Sequence, residues 1–163
     1  MKIITLDHPP SLKLRGFEIL DEFKEHFENG SVKKPTRATE GSAGYDISAV
    51  GDYIIPAGTK RAIDTGLTAY MGPHEWLALF VRSGHAYSKN LTLQNAVGVI
   101  DSDYYGKHIR VLLRNEGTEP FVVKHGDRIG QGIFLPFLKV DDDYAHIPTK
   151  RESGFGSTGV KVA

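Results

Sequence analysis

The apolar residues near the N-terminus repeat with the period of a helix. Leu20, Phe23 and Phe27 stand at positions i, i+3 and i+7, so they fall on one face of an α-helix. Acidic residues occupy the expected first turn, and Asn29-Gly30 follows as a stop signal. The pattern predicts one short amphipathic helix within an extended N-terminal segment, residues 1–34.

Beyond Tyr53 the period changes to that of β-strands. Alternation runs from Ile63 to Ala69 and ends before the turn residues Gly72-Pro73. The run Trp76–Val81 is apolar on both faces, which is typical of a strand buried between two layers. Short strands separated by Gly and Pro predict a mainly β fold, a sandwich or jelly roll, and disfavour a βα architecture. Further predicted strands are Ile109–Leu113, Pro120–Val123 and Ile129–Leu135.

Length and composition narrow the class of protein. The chain has 163 residues, which favours one domain, and its 18 Gly and 8 Pro favour many turns. Its 20 basic and 20 acidic residues balance, so there is no broad basic field to bind nucleic acid directly. We therefore expect any phosphate binding to come from a few locally placed cations.

The chain contains no Cys. This excludes disulfides, thiolate nucleophiles and Cys zinc sites, including the Cys-dependent zinc deaminase signature, and fits a reducing compartment. No apolar stretch approaches the ~18 residues that span a bilayer, and no hydrophobic signal segment follows Met1. We expect a soluble, cytoplasmic protein that does not contact a membrane.

Five short polar or Gly-rich segments carry the candidate chemistry, and each has an ordinary explanation when taken singly. Arg82–Gly84 follows the predicted buried strand and is either a ligand contact at a strand end or a surface turn. Gly154–Gly159 satisfies G-x-G-x-x-G, yet too few residues follow for the helix of a dinucleotide fold. The five segments, in chain order, are Ala43–Ile47, Arg82–Gly84, Asn95–Gly106, Gly126–Gln131 and Gly154–Gly159.

Metal-binding motifs fail on their spacing. Asp101–Gly106 resembles the opening of a calcium loop, but Tyr105 and Leu112 occupy two positions that require oxygen ligands. We reject a calcium site and interpret the segment, by itself, as a polar turn. Gly126–Gln131 reads first as a hairpin corner. The seven His lack metal-ligand spacing.

Together and in this order, the five segments resemble the motif set of the trimeric dUTPases over roughly Pro35 to Gly159. The resemblance implies a jelly-roll homotrimer with one or two short helices and active sites at subunit interfaces. It implies a β domain over residues 1–149, with a flexible C-terminal arm, residues 150–163, that closes a site on another subunit. The implied reaction converts dUTP to dUMP and pyrophosphate with Mg²⁺, by attack of a water on the α-phosphate.

Motif three supplies the implied catalytic and base-binding groups. Asp101 resembles the carboxylate that orients and deprotonates the attacking water, as a general base does. Tyr104 resembles the residue under the deoxyribose, whose ring leaves no room for a ribose hydroxyl. Asn95 and the backbone of Gly98, Val99 and Ile100 resemble the hairpin that pairs with the uracil edges.

The other motifs supply the implied phosphate and metal contacts. Arg82, Ser83, Gly84 and Gln131 resemble groups that hold phosphate oxygens, and Asp46 resembles the acid that places a hydrated Mg²⁺ through water. In the arm, Phe155 resembles the aromatic that stacks on uracil, and Gly156, Ser157 and Thr158 resemble the adjoining substrate contacts. The family's usual Arg corresponds to Lys150 here, and Arg151 lies one residue closer to Phe155. Either residue could contact the γ-phosphate, and we prefer Arg151, provided that the arm absorbs the offset, because a guanidinium binds phosphate with two donors.

Two other functions compete with dUTP hydrolysis. The related dCTP deaminases share the fold, so a deaminase or a bifunctional enzyme is the first alternative. Those enzymes place a Glu on the strand after motif three, whereas Lys107–Leu113 contains no acid here. The second alternative is a nucleotide-gated regulatory protein whose closed arm or N-terminal helix binds a protein partner.

Overall fold

The computed structural model describes residues 13–143, and within them strands dominate. The two α-helices are short: α1, Lys24–Glu28, continues a 3₁₀ turn at Asp21–Phe23, and α2 spans Ser83–Lys89. The strands are β1 Gly16–Ile19, β2 Thr36–Arg37, β3 Tyr45–Ser48, β4 Tyr53–Ile55, β5 Lys60–Tyr70, β6 Glu75–Phe80, β7 Leu91–Leu93, β8 Gly98–Asp101, β9 Ile109–Asn115, β10 Phe121–Val123 and β11 Arg128–Pro136.

These strands form three antiparallel sheets. A four-stranded sheet has the order β1-β5-β9-β7, and a five-stranded sheet has the order β2-β3-β11-β6-β8. The third sheet pairs β10 with β4. Neighbours in a sheet are seldom neighbours in the chain, so the chain crosses repeatedly between layers, as expected for the predicted jelly roll.

The inner faces of both large sheets contribute to one hydrophobic core. Ile63 and Leu113 from the four-stranded sheet and Ile47, Leu77 and Ile129 from the five-stranded sheet are fully buried in the same cluster. Burial of this kind contributes about 25 cal/mol per Å² of apolar area, and it is the main stabilising term.

The predicted strands are confirmed. In β6, Leu77 and its neighbour Ala78 are both 0% exposed, so the strand is buried on both faces as its continuous apolar run predicted. In β9, buried Ile109, Val111 and Leu113 alternate with more exposed positions. The predicted N-terminal helix is confirmed as the 3₁₀ turn followed by α1.

Two local predictions need correction. Arg82–Gly84 follows the end of β6 as predicted, but it is not a surface turn, since Arg82 is the N-cap of α2 and Ser83 and Gly84 begin that helix. The helix has no buried residue, and therefore its sequence lacks the apolar period that would have predicted it. Gly126–Gln131 does turn a corner, but β10 and β11 lie in different sheets and do not form a hairpin.

The N-terminal segment docks on a bulge in β5. The pairing of β5 with β9 shifts register between Asp64 and Leu67, and Gly66 in the bulge has φ +69°. Leu20 N donates to Gly66 O at 3.0 Å, and a Cβ at Gly66 would lie 2.8 Å from Cβ of Phe23. Both the left-handed backbone and the close approach require glycine here.

Within residues 13–143 no helix is long and apolar enough to cross a membrane.

Candidate active site

Three of the five motifs meet at the carboxylate of Asp46. Asp46 lies in β3 opposite Gln131 in β11, and Gln131 in turn lies opposite Phe80 in β6. The chain leaves β6 at Phe80, and two residues later Arg82 is the N-cap of α2. Adjacent strands β3, β11 and β6 therefore bring motifs one, two and four to one place.

Two arginines hold this carboxylate. Arg82 Nε donates to Asp46 Oδ1 at 3.0 Å, and Arg128 Nη1 donates to Asp46 Oδ2 at 2.9 Å. The Asp46 side chain is 16% exposed, whereas that of Arg128 is 56% exposed. Two cations on one anion leave a net positive charge, and the uncommitted guanidinium donors suit a phosphate ligand.

Arg128 is the site residue that the sequence analysis missed. It lies in motif four, three positions before Gln131, but β11 is irregular between Arg128 and Gly130. A regular strand would place residues three apart on opposite faces, and the bulge changes that alternation. The only signal in the sequence was a cation next to the corner residues Gly126-Asp127.

Gln131 is held in a fixed orientation. Its Nε2 donates to the carbonyl of Val81 at 3.3 Å, directly before Arg82. A Cβ on Gly44 would meet Oε1 of Gln131, so a larger residue at this position would displace the end of the Gln131 side chain. The amide is therefore positioned beside the arginine pair, as the predicted phosphate contact requires.

Motif three forms an open strand edge. β8, Gly98–Asp101, pairs with β6 on one side and is the last strand of its sheet. Gly98 packs on Leu79 so closely that a Cβ would lie 2.9 Å from Leu79 Cβ, and Val99 is 58% exposed. The unpaired side of an edge strand presents backbone donors and acceptors, which can bind a base.

Asn95 lies in the turn that leads into β8. The turn is tight, because Val97 N donates to Asn95 O and the following residue of the turn, Ala96, has φ +58°. Asn95 lies three residues before Gly98, but β7 and β8 belong to different sheets, so this segment is a turn between two sheets and not the predicted hairpin. The roles of Asn95 and Gly98–Ile100 in binding uracil stay predictions.

Asp101 ends β8, and Tyr104 lies one turn later. Asp101 pairs with Trp76 across the sheet and is the N-cap of the 3₁₀ turn Ser102–Tyr104. The Tyr104 ring is buried, its hydroxyl donates to the carbonyl of His108 at 3.1 Å, and Lys107 Nζ lies 5.8 Å from the ring centroid. The predicted turn is confirmed, and it fixes Tyr104 next to the candidate base.

Within one chain, Asp101 and the arginine pair lie at opposite ends of β6. Asp101 pairs with Trp76 near the start of the strand, whereas Arg82 follows its end. Six extended residues separate these points by about 20 Å, because a strand rises ~3.3 Å per residue. Among the described residues, one copy of the chain therefore does not bring Asp101 next to the arginine pair.

The predicted residues of the arm, Arg151, Phe155, Gly156, Ser157 and Thr158, lie outside the described residues. Their roles stay predictions, as do the roles of the residues that the structure places. The division into a domain over residues 1–149 and an arm over 150–163 also stays a prediction.

The described part of the chain contains no group of three His, Cys, Asp or Glu that could hold a metal ion. Asp46 is a single carboxylate, and each of its oxygens already accepts a hydrogen bond from an arginine. This donor set does not fit a permanently bound metal. It fits Mg²⁺ that keeps its waters and enters on the phosphates of a substrate.

Two histidines near these elements are kept neutral. Burial lowers the pKa of His108, and burial with the nearby charge of Arg82 lowers the pKa of His85. Nδ1 of His85, which follows Gly84 in α2, is buried without a hydrogen-bond partner among the described residues. Both rings are therefore costly to protonate in the folded chain.

We expect the free energy of unfolding to fall as the pH drops below about 6.5. The unfolded chain takes up these protons at the ordinary histidine pKa, whereas the folded chain takes them up only at lower pH, so acid favours unfolding. Urea denaturation at pH 7.5, 6.5 and 5.5, at one protein concentration, measures the effect. His108→Gln should lose less stability than the wild type over this range, and equal losses would contradict the prediction.

The fold and the site together define a class of protein. It is a jelly-roll protein in which two arginines hold a carboxylate, and this site is suited to a phosphorylated ligand. The dUTPase family model matches residues 31–159, well over half of the chain. The chain belongs to the dUTPase family.

Individual relatives agree with this assignment. The chain is 42% identical over 153 residues to the deoxyuridine 5′-triphosphate nucleotidohydrolase of Lactococcus lactis, covering 91% of this chain and 99% of that protein. The crystal structure of the Streptococcus mutans dUTPase is similar with a TM-score of 0.70 at 37% identity, covering 77% of this chain and 98% of that one. A phage phi11 dUTPase variant, described with a structural Mg(II) ion, shares the fold at 17% identity, with a TM-score of 0.66 and coverage of 85% and 99%.

Proposed function

We propose that this protein hydrolyses dUTP to dUMP and pyrophosphate. The observation that carries the proposal is the meeting of three motifs at Asp46, where Arg82 and Arg128 approach from 36 and 82 positions away in the chain. The relatives at 42% and 37% identity carry names with this activity or this family. The reaction supplies dUMP and limits uracil in DNA.

Strand β8 is the proposed binding element for the base. Within residues 13–143 no further strand pairs with the outer backbone edge of Gly98–Ile100, and this edge can pair with the polar edges of uracil. The Asn95 turn lies next to it in the chain. Cytosine presents opposite donors and acceptors, and a site with fixed polar partners rejects such a mismatch by up to ~10⁴–10⁵. Exclusion of the extra methyl of thymine needs a rigid wall, because an apolar pocket alone separates one methyl by only ~1–3 kcal/mol.

Asp101 is the proposed general base. Its carboxylate takes a proton from water, the water oxygen forms a bond to the α-phosphorus, and the bond to the bridging oxygen breaks to release pyrophosphate. The buried ring of Tyr104, fixed one turn later, forms the floor under C2′ and excludes a ribose hydroxyl. Water, base and sugar are then placed by one short segment.

The arginine pair, Arg82 and Arg128, is the proposed binding site for the phosphates. Arg82, with the adjoining Ser83 and Gly84, and the oriented amide of Gln131 are the proposed contacts of the phosphate oxygens. Asp46 would contact Mg²⁺ through water, and a bound Mg²⁺ would neutralise phosphate charge and favour attack at phosphorus. The arm, with Arg151 on the γ-phosphate and Phe155 on the base, would close the site and exclude water.

The complete site needs more than one copy of the chain. Asp101 and Arg82 are separated by about 20 Å along β6. This separation is too large for both side chains of one copy to contact the same bound triphosphate. A homotrimer in which motif three of one copy faces motifs one, two and four of another resolves this separation. We therefore propose a homotrimer, located in the cytoplasm, with dUTP as its ligand.

Pyrophosphate release measured with each common deoxynucleoside triphosphate, in the presence of Mg²⁺, tests the function. We expect rapid release from dUTP and little from dCTP or dTTP. Formation of uracil nucleotides from dCTP would instead establish the deaminase alternative, which neither the family match nor the relatives favour. Absence of release from dUTP would contradict the proposal.

A further inference from the structure

The segment after motif three is tied to the bulge of β5. Thr65 Oγ1 donates to Ile109 O at 2.6 Å, and Gly106 N donates to Thr68 Oγ1 at 2.8 Å. Both threonines are buried. The position of the backbone between Tyr104 and Ile109 is therefore determined by contacts with β5.

His108 makes two further contacts with the same bulge. Its Nε2 accepts from Thr65 N at 3.3 Å and from Gly66 N at 3.1 Å, so this nitrogen carries no hydrogen. The hydrogen then lies on Nδ1, which faces Asp64 Oδ1 at 3.8 Å. The bulge interrupts the backbone hydrogen bonds between β5 and β9. The neutral ring of His108 therefore supplies the acceptor for the N–H groups of Thr65 and Gly66.

The N-terminal segment covers this ring. The Phe23 ring centroid lies 4.7 Å from that of His108, and the His108 side chain is 14% exposed. The N-terminal segment therefore packs against the His108 ring through Phe23, while the backbone of β5 binds Nε2 of the same ring.

The carbonyl of His108 accepts the hydroxyl of Tyr104. We propose that His108 is a positioning residue, whose side chain anchors its own backbone to the β5 bulge so that its carbonyl holds the Tyr104 ring against the deoxyribose. The inference rests on the proposed function, since it deepens the role of Tyr104 in sugar selection.

Loss of the anchor should relax the exclusion of the ribose hydroxyl. His108→Leu leaves a side chain to pack under Phe23 but removes the acceptor for the N–H groups of Thr65 and Gly66, so the carbonyl of residue 108 and the Tyr104 ring gain freedom. We expect the ratio of kcat/KM for dUTP to kcat/KM for UTP to fall about three- to tenfold. This is the effect of losing one buried hydrogen bond, here the bond from the Tyr104 hydroxyl to the carbonyl of residue 108. His108→Gln should keep the ratio within about twofold, since its amide oxygen can accept in place of Nε2.

The test is a double-mutant cycle on that ratio, with kcat and KM determined separately for dUTP and UTP. Tyr104→Phe removes the hydroxyl and should lower the ratio similarly, and His108→Leu should then add less than about twofold in the Tyr104→Phe background. An unchanged ratio in His108→Leu, or fully additive losses, would overturn the inference. Should His108→Leu not fold, a wild-type ratio in Tyr104→Phe would overturn the inference. A lowered ratio in Tyr104→Phe, together with a ratio in His108→Gln within about twofold of the wild type, would support it.

The wild-type enzyme separates this inference from the proposed function. Wild-type hydrolysis of dUTP, followed by unchanged ratios in the variants, would contradict only the role of His108. Failure of the wild type to hydrolyse dUTP would contradict the proposed function itself.

Discussion

Asp101→Asn is expected to bind dUTP but to hydrolyse it about 10²- to 10⁴-fold more slowly than the wild type. The amide has the size of the carboxylate and can still contact the sugar, but it does not accept a proton from water at neutral pH. Binding measured by calorimetry with a nonhydrolysable dUTP analogue, beside pyrophosphate release with dUTP, separates the two effects.

Asp142→Asn is the matched control for this substitution. It is the same chemical change at an exposed position, and Asp142 has φ +61°, a conformation that Asn also tolerates. Its turnover should equal that of the wild type. A rate for Asp101→Asn within a few-fold of the wild type would remove Asp101 from the role of base.

Two inactive variants are expected to restore each other's activity when their subunits are mixed. Asp101→Asn retains the arginine pair, and Arg82→Ala retains the base, so a site shared between copies can combine an intact group from each. Random exchange in an equal mixture pairs the two intact groups at about one site in four, so we expect about one quarter of the wild-type activity.

The experiment mixes the purified variants, exchanges their subunits by denaturation and refolding, and measures dUTP turnover. A mixture of Asp101→Asn with the double variant carrying both substitutions is the control, because it contains no intact Asp101 and should stay inactive. Mixed trimers verified by native mass spectrometry that show only the activity of the single variants would place both groups in one copy.

The strands of this fold were predictable because their side chains obey a simple physical alternation. Burial on both faces makes β6 a continuous apolar run, and burial on one face makes β9 alternate, so each carries its environment in its sequence. Helix α2 was not predictable in this way, since an exposed helix leaves no apolar stripe. Tyr87, its largest apolar side chain, is 93% exposed.

The chemistry of the site was predictable from motifs, but its layout was not. The order of Asp46, Arg82 and Gln131 in the chain gives no hint that three adjacent strands bring them together. The sequence likewise does not show that Asp101 lies beside the start of β6 while Arg82 follows its end, a separation on which the proposed homotrimer rests. The role of Arg128 depends on one bulge and that of His108 on another. A glycine, Gly130 or Gly66, marks each irregular stretch in the sequence, but a glycine within a strand does not show which side chain the bulge redirects.

The open side of β8 also affects how the protein behaves when it is handled or redesigned. An uncovered strand edge tends to recruit other strands and so promotes aggregation, and proteins usually protect it with proline, lysine or a covering loop. A ligand-binding edge has less freedom for such protection, and β8 instead has only four residues with an acid at its end. Variants that extend β8 or add β-branched residues along it should therefore have a more rigid strand but a lower solubility. Bound nucleotide should suppress precipitation of such variants.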